Sequence, residues 1–244
     1  MKYFFIALQF LTPLSIGKVK IINDEDLAKS MAWFGIVGLL IGIALAGAYL
    51  SLNLFLPSIT VSVLIVLSMV IFSAGLHLDG LADTADGLAG GKDKNDIIKI
   101  MHDSNIGAIG AIAIFICLLL KFSCLYSIQY PARALIVSAL LSRWAFVFSA
   151  ARWSSVFENE GLGSKFIKFA GIRELLWSSL TMLIVALFIF GIKAIAIIII
   201  AVFFVTMFNN FIKAKIGVLT GDTLGAVGEL TETLTLVIIS AIVK

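Results

Sequence analysis

Ala194-Ile-Ala-Ile-Ile-Ile-Ile-Ala-Val-Phe-Phe-Val-Thr-Met-Phe-Asn-Asn-Phe211 runs without one ionisable side chain. Its apolar residues are continuous rather than alternating, so it reads as helix and not as a half-buried strand. Its length is close to the ~20 residues that cross the hydrocarbon core of a bilayer. Five further apolar runs are long enough to cross or nearly cross a bilayer: Met31–Leu56, Ser58–Leu78, Ile106–Leu125, Ala132–Ala151 and Leu175–Gly191. A seventh, Leu234–Val243, spans only if it continues a helix begun near Thr223. Inside a bilayer the backbone must satisfy its own hydrogen bonds, and continuous runs leave helices as the only way to do so. Composition agrees. The 244 residues are 61% hydrophobic and 14% charged, against roughly 45–50% and about 25% in soluble domains. Mean hydropathy is +1.10. A soluble globular protein is excluded. The expected fold is all-α, a polytopic integral membrane helical bundle of about six or seven transmembrane helices, with residues 1–244 as a single transmembrane domain.

The net charge of +3 is dispersed and gives no footprint for nucleic acid. Cys117 and Cys124 share one apolar run without metal-ligand spacing and read as packing residues. The start, Met1–Ser15, lacks an A-x-A cleavage site, which argues against a removed signal peptide. With Pro13 and a short apolar length, it suits an interfacial or re-entrant helix. Gly38 and Gly42 form a small-xxx-small step for close helix packing, within one chain or between copies.

Assigning the loops alternately to two sides separates the charges. One side carries Lys18, Lys20, Lys29, Lys92, Lys94, Lys99, Arg152, Lys165, Lys168, Arg173, Lys213 and Lys215. The other carries Lys121, Arg133, Lys193 and Lys244. The positive-inside rule makes the first side cytoplasmic. All 15 acids are expected on that same side, and the chemistry with them.

The densest signal is Gly75-Leu-His-Leu-Asp-Gly-Leu-Ala-Asp-Thr-Ala-Asp-Gly87. Asp79, Asp83 and Asp86, spaced four then three, stack on one face of a helix. Like charges so placed call for a cation, and Mg²⁺ is held by a few carboxylates together with substrate phosphates. Unpaired acids directly after an apolar span are otherwise costly. In Met101-His-Asp-Ser-Asn-Ile-Gly-Ala-Ile-Gly110, Asp103 and Ser104 either complete the metal shell or cap the next helix. A helix start with Gly107 and Gly110 also suits a phosphate. The loop Gly90–Lys99 between them is either a mobile cover or a surface turn with a short helix.

Arg143 lies inside an apolar run, about 12 Å from the nearest helix end at 1.5 Å per residue. Carboxylate or phosphate is its natural partner. Arg152 ends that run and leads to Glu160-Gly-Leu-Gly163; both arginines are candidates for holding a diphosphate. The last cluster is Thr220-Gly-Asp-Thr-Leu-Gly-Ala-Val-Gly-Glu-Leu-Thr-Glu232. Asp222, Glu229 and Glu232 offer further oxygen ligands, expected to share a site with the Asp79 stripe. His77 and His102 each fall in an acidic motif as base or phosphate donor, or as orienters of a carboxylate. No Gly-x-Ser-x-Gly, Walker loop or zinc spacing is present, which leaves metal-assisted transfer between bound substrates.

These segments, with Ser142–Trp144, Phe10-Leu-Thr12 and Trp33-Phe-Gly-Ile-Val-Gly38, strongly resemble the cobalamin synthase family, the adenosylcobinamide-GDP ribazoletransferases. The similarity covers nearly the whole chain. Val218 stands where the family usually has a second Gly before Thr-Gly-Asp, and Pro13 where a basic residue is usual. The resemblance implies that the ribose hydroxyl of α-ribazole, or of its 5′-phosphate, attacks the corrinoid-linked phosphorus of adenosylcobinamide-GDP. GMP leaves and adenosylcobalamin, or its 5′-phosphate, forms. It implies Mg²⁺ as cofactor and a multi-pass enzyme of the cell (cytoplasmic) membrane with its site facing the cytoplasm. Metal ligands are then expected at Asp79, Asp83, Asp86, Asp103 and Glu229. Substrate contacts are expected at Arg143, Arg152, Ser104, Gly107, Thr220 and Asp222, and Asp86 or His77 as base with Arg143 as clamp. Partners so implied are the corrinoid-GDP and α-ribazole substrates and the bilayer. A homo-oligomer or association with other cobalamin-assembly enzymes is the further expectation.

Two rival readings differ in the pattern they require. A CDP-alcohol phosphotransferase has Ala-Arg where Asp83 and Thr84 stand here. A cation-coupled transporter calls for acids near the bilayer middle and polar groups towards both faces.

Overall fold

The computed structural model describes residues 2–14, 24–153 and 162–243, all helix and connections with no strand among them. Helix α1 (Lys2–Leu11) is ten residues long, about 15 Å and half a bilayer. It buries Ile6, Ala7, Leu8 and Leu11 against the bundle. Helix α2 (Asp24–Ser30) passes through a 3₁₀ turn, Met31–Trp33, into α3 (Phe34–Leu52). The Phe-Leu-Thr and Trp-Phe-Gly segments meet here, with the Phe10 ring stacked on Phe34 at 5.9 Å.

Helix α4 (Ser58–Phe72) ends where Ala74 (φ 50°) and Gly75 (φ 73°) both take left-handed backbone. That turn sends α5 (Leu76–Gly90) off at 85°. The run Ser58–Leu78, expected to be one straight span, is therefore two helices. The reason is local: apolar character continues through Ser73-Ala-Gly75, but the backbone there does not. Helix α6 (Lys94–Met101) is capped by Asp93, whose carboxylate accepts from the N–H groups of Asn95 and Asp96 at 2.9 and 3.0 Å. The segment after Gly90 is thus a turn and short helix.

The remaining helices are α7 (Ala108–Ser127), α8 (Pro131–Arg152), α9 (Leu162–Phe169), α10 (Ile172–Phe190), α11 (Lys193–Ile216) and α12 (Gly221–Ile242). Glu160 and Gly161 lie outside the described residues. The run Leu234–Val243 does continue a helix begun at Gly221, because the Thr220 hydroxyl caps the first turn by accepting from the Thr223 N–H at 3.2 Å.

Among the described residues six stretches are long and apolar enough to cross a membrane: Glu25–Leu52, Ala108–Ser127, Pro131–Arg152, Ile172–Phe190, Lys193–Ile216 and Gly221–Ile242. The bent pair α4–α5 raises the number to seven if it counts as one span. The protein is a polytopic helical membrane bundle. Helices α8 and α12 form its centre, with 83% and 67% of their apolar windows buried, against 28% for α7, α10 and α11. The outer helices present Ile112, Phe115, Leu119, Ile199 and Phe203 outward, as lipid-facing surfaces do. The Gly38–Gly42 step is used within the chain. A Cβ on Gly42 would stand 2.6 Å from the Ile136 backbone, and one on Gly38 3.0 Å from the Ala139 carbonyl, so α3 and α8 approach closely there. Cys117 and Cys124 are buried free thiols, consistent with packing.

Candidate active site

Because α5 turns away from α4, its acidic face meets the α6–α7 connection and the start of α12. Asp79, Asp83, His102, Asp103 and Ser104 line one cavity of about 260 Å³, walled by Ala82, Met101, Ile106 and Ile114. No Lys or Arg is among these lining residues. The negative charges of Asp79, Asp222 and Asp86 all act on Asp83. No ion pair engages Asp79 or Asp83 among the described residues. Asp222 comes close because α12 packs backbone-to-backbone on α5. A Cβ on Gly80 would lie 2.7 Å from the Asp222 carbonyl oxygen.

Asp103 stands at a junction. It also lines a recess of about 340 Å³ with Lys92, Asp96 and Lys99, and one of about 400 Å³ with Asp86 and the Asn105–Ile109 segment. Its carboxylate accepts from the backbone N–H of Asn105 at 3.0 Å and from the Asn105 amide at 2.8 Å. Those donors hold the Asp103 carboxyl below the usual carboxylate range, so it stays ionised.

Asp86 has a different setting. Its two oxygens accept from the N–H groups of Gly107 (2.7 Å) and Gly110 (2.8 Å), capping α7 from another helix. Any side chain at Gly107 or Gly110 would overlap that carboxyl. Ser104, expected as the alternative cap, is exposed on the cavity instead, and Gly107 occupies the N-cap position. A negative charge already sits where a phosphate was expected at Gly107.

Glu229 and Glu232 do not line the cavity. Both are buried in the bundle, where Glu229 accepts from Lys121, and Glu232 from Lys121 at 2.7 Å and from Arg143 at 3.0 Å. This corrects three expectations. Lys121 is 2% exposed within α7 and does not mark a loop. The acids do not all lie in one-sided loops. Glu229 does not join the Asp79 stripe, because a buried ammonium already matches its charge. Arg143 is likewise 2% exposed and engaged, by a carboxylate rather than a substrate. Arg152 is exposed at the end of α8, and Thr220 is buried as a helix cap. His77 is buried with its ring 4.8 Å from Phe146; His102 is the histidine on the cavity.

A divalent cation fits the chemistry of this donor set, which is oxygen-rich and free of thiolate. The fit is to a partial shell. Among the described residues no group of three or more His, Cys, Asp or Glu is gathered closely enough to hold a metal alone. Mg²⁺ usually takes one or two carboxylates and completes its octahedron with waters and substrate phosphates.

Residues 3–240 match the family model described as cobalamin-5-phosphate synthase. A protein of Caldanaerobacter subterraneus subsp. tengcongensis named adenosylcobinamide-GDP ribazoletransferase is 37% identical over 95% of both chains. Proteins of the same name from Desulforamulus reducens (33%, over 93% of this chain and 92% of that one) and Geotalea daltonii (32%, over 99% and 98%) agree. The chain belongs to the cobalamin-5-phosphate synthase family. No solved structure matches it. Within this synthase-family chain, sequence reading missed Lys92 and Lys99 beside the acids. Both are read in the sequence as topology markers and as part of the Gly90–Lys99 loop, although Lys92 is next to Asp93 and Lys99 three residues after Asp96 on the same short segment. It also missed the Asp86 clamp, whose partners lie 21 and 24 residues away.

Proposed function

We propose that this chain is an adenosylcobinamide-GDP ribazoletransferase working at the cavity bounded by Asp79, Asp83, His102, Asp103 and Ser104. A ribose hydroxyl of α-ribazole, or of its 5′-phosphate, attacks the corrinoid-linked phosphorus of adenosylcobinamide-GDP. The new P–O bond forms as the bond to the GMP phosphate oxygen breaks. GMP leaves, the hydroxyl proton passes to a base, and adenosylcobalamin or its 5′-phosphate is released. The observation that carries this reading is the sharing of Asp103 between an acid-lined cavity and a recess lined by Lys92 and Lys99. A diphosphate lying across that junction meets cationic side chains at one end and metal-binding carboxylates at the other.

Asp79, Asp83 and Asp103 are the residues that would hold Mg²⁺, with Asp222 beside them. Bound there, Mg²⁺ supplies positive charge against the diphosphate and the departing GMP. Asp103, already ionised through Asn105, keeps one donor oxygen ready. His102 is placed to take the hydroxyl proton. His77, packed on Phe146 inside the bundle, and Asp86, with both oxygens engaged, are less suited to that task. Lys92 and Lys99 serve the phosphates of the nucleotide, and Arg152 is an exposed cation for the corrinoid-side phosphate. The distribution of Lys and Arg supports a cytoplasmic membrane location with this site on the cytoplasmic face.

The test is product identity. Lipid-reconstituted protein given adenosylcobinamide-GDP, α-ribazole and Mg²⁺ should yield GMP and a complete cobalamin in equal amounts. A folded sample that consumes neither substrate overturns the reading.

A further inference from the structure

The centre of the bundle holds four charges that the proposed reaction does not use. Lys121 on α7, Arg143 on α8, and Glu229 and Glu232 on α12 are each 4% exposed or less. Lys121 Nζ donates to Glu229 Oε1 and to Glu232 Oε2; Arg143 Nη1 donates to Glu232 Oε1. The cluster is neutral as a whole. Beside it the Cys117 Sγ lies 3.1 Å from the Thr233 hydroxyl, a second contact between α7 and α12.

Stability alone is a poor reason for such a cluster, since apolar side chains of similar volume usually do as well. Buried charge pairs do better at fixing which register two helices adopt. Gly225 and Gly228 of α12 face His77 on α5 and the Phe146 ring on α8. Towards α7 its polar contacts come from Glu229, Glu232 and Thr233, and a neighbouring register, a shift of about 1.5 Å and 100°, would break them together. Helix α7 is an outer helix with 28% of its apolar window buried, and Lys121 is its one charged residue. Polar contacts hold it at the Asp86 clamp on Gly107 and Gly110, at Cys117 against Thr233 and Glu229, and at Lys121. From Gly107 to Lys121 is about 21 Å of helix. Ile114, between these points, and Ile106, just before them, are walls of the acid-lined cavity.

We propose that Lys121 is a positioning residue: through Glu229 and Glu232 it sets the register of α7 against α12, and so the shape of the acid-lined cavity. The proposal rests on the transferase reading only for what the cavity does. The register can be measured without it.

In a Cys124→Ser background, Thr233→Cys places a second thiol beside Cys117. Because the Cys117 thiol also contacts Glu229, the oxidative cross-linking rate in intact membranes is divided by the alkylation rate of Cys117 alone in the same variant, and the ratio reports how often the two thiols meet. The same pair is then placed in Lys121→Met/Glu229→Gln. That neutral combination leaves Arg143 on Glu232, strands no charge and makes α7 more apolar, so membrane insertion is not at risk. The ratio should fall at least ~5-fold, as expected when a contact becomes one register among several. In the same substitutions without Thr233→Cys, kcat should fall ~10–100-fold with KM little changed, the size expected for a misplacement near 1 Å. Lys121→Arg, which keeps the charge, should restore both. The proposal is overturned if the neutral pair keeps the parent ratio, or if the ratio falls while kcat is unchanged. A parent protein without transfer activity would contradict the reaction reading instead, and the cross-linking result alone would then decide the register.

Discussion

On α5, Asp79 and Asp83 stand on one helix face where the neighbouring acids Asp86 and Asp222 add to their negative charge. On α12, Glu229 and Glu232 stand on one helix face too, yet each meets a buried cation. The residue types and spacings are nearly alike, and what differs is the company. The first pair sits on a cavity at the end of the bundle, with charge left over for a ligand to neutralise. The second sits at its centre with charge fully matched. Leftover charge points to binding, and matched charge points to the placement of helices.

Breaking the matched pair should act on stability first. Lys121→Met alone leaves a buried carboxylate without a partner and should destabilise the bundle by about 3–5 kcal/mol, read as a lowered thermal midpoint in detergent. The neutral pair Lys121→Met/Glu229→Gln should recover most of that loss. Breaking the leftover pair should act on turnover. Asp83→Asn should lower transfer activity ~100–1000-fold, the range seen when one transition-state charge contact is removed, with the thermal midpoint unchanged. A stability loss in Asp83→Asn, or full activity, would erase the distinction between the two regions.

Mg²⁺ sharpens the comparison, because only the leftover acids have use for it. At a hundredfold excess over its Kd it should stabilise the folded protein by about 2.7 kcal/mol, and this gain should vanish in Asp83→Asn but persist in Lys121→Arg. The smallest effect is expected at Asp86, which lies between the two regimes. Asp86→Ala removes a helix cap and should cost about 0.5–2 kcal/mol. Gly110→Ala, which places a methyl against the same carboxyl, should show a loss of similar size in the same thermal assay.

Much of this was legible in the chain itself. Continuous apolar runs declare helices and a bilayer, and the spacing of Asp79 and Asp83 declares an acidic face. The bend at Ser73–Gly75 was not legible, because Ala74 has no preference for the left-handed backbone it adopts. Lys121 was misread for a physical reason as well. Counting charges to assign sides assumes that a charge near the end of an apolar run lies in water, and Glu229, its partner, is 108 residues away. The same distance hid the fact that Glu229 was already neutralised, so it was expected among the metal ligands. Ser104 had the composition of a cap, but the Asp86 carboxylate reached the α7 amides from across the fold.

The most direct measurement is the Mg²⁺ dependence of GMP release from adenosylcobinamide-GDP and α-ribazole, taken in parallel on the parent protein, Asp83→Asn and Lys121→Arg in the same lipid. The leftover-charge reading expects saturable Mg²⁺ activation, abolished by EDTA, in the parent and in Lys121→Arg, and lost or shifted to far higher Mg²⁺ in Asp83→Asn. Equal Mg²⁺ dependence in all three, or release that ignores EDTA, would contradict it.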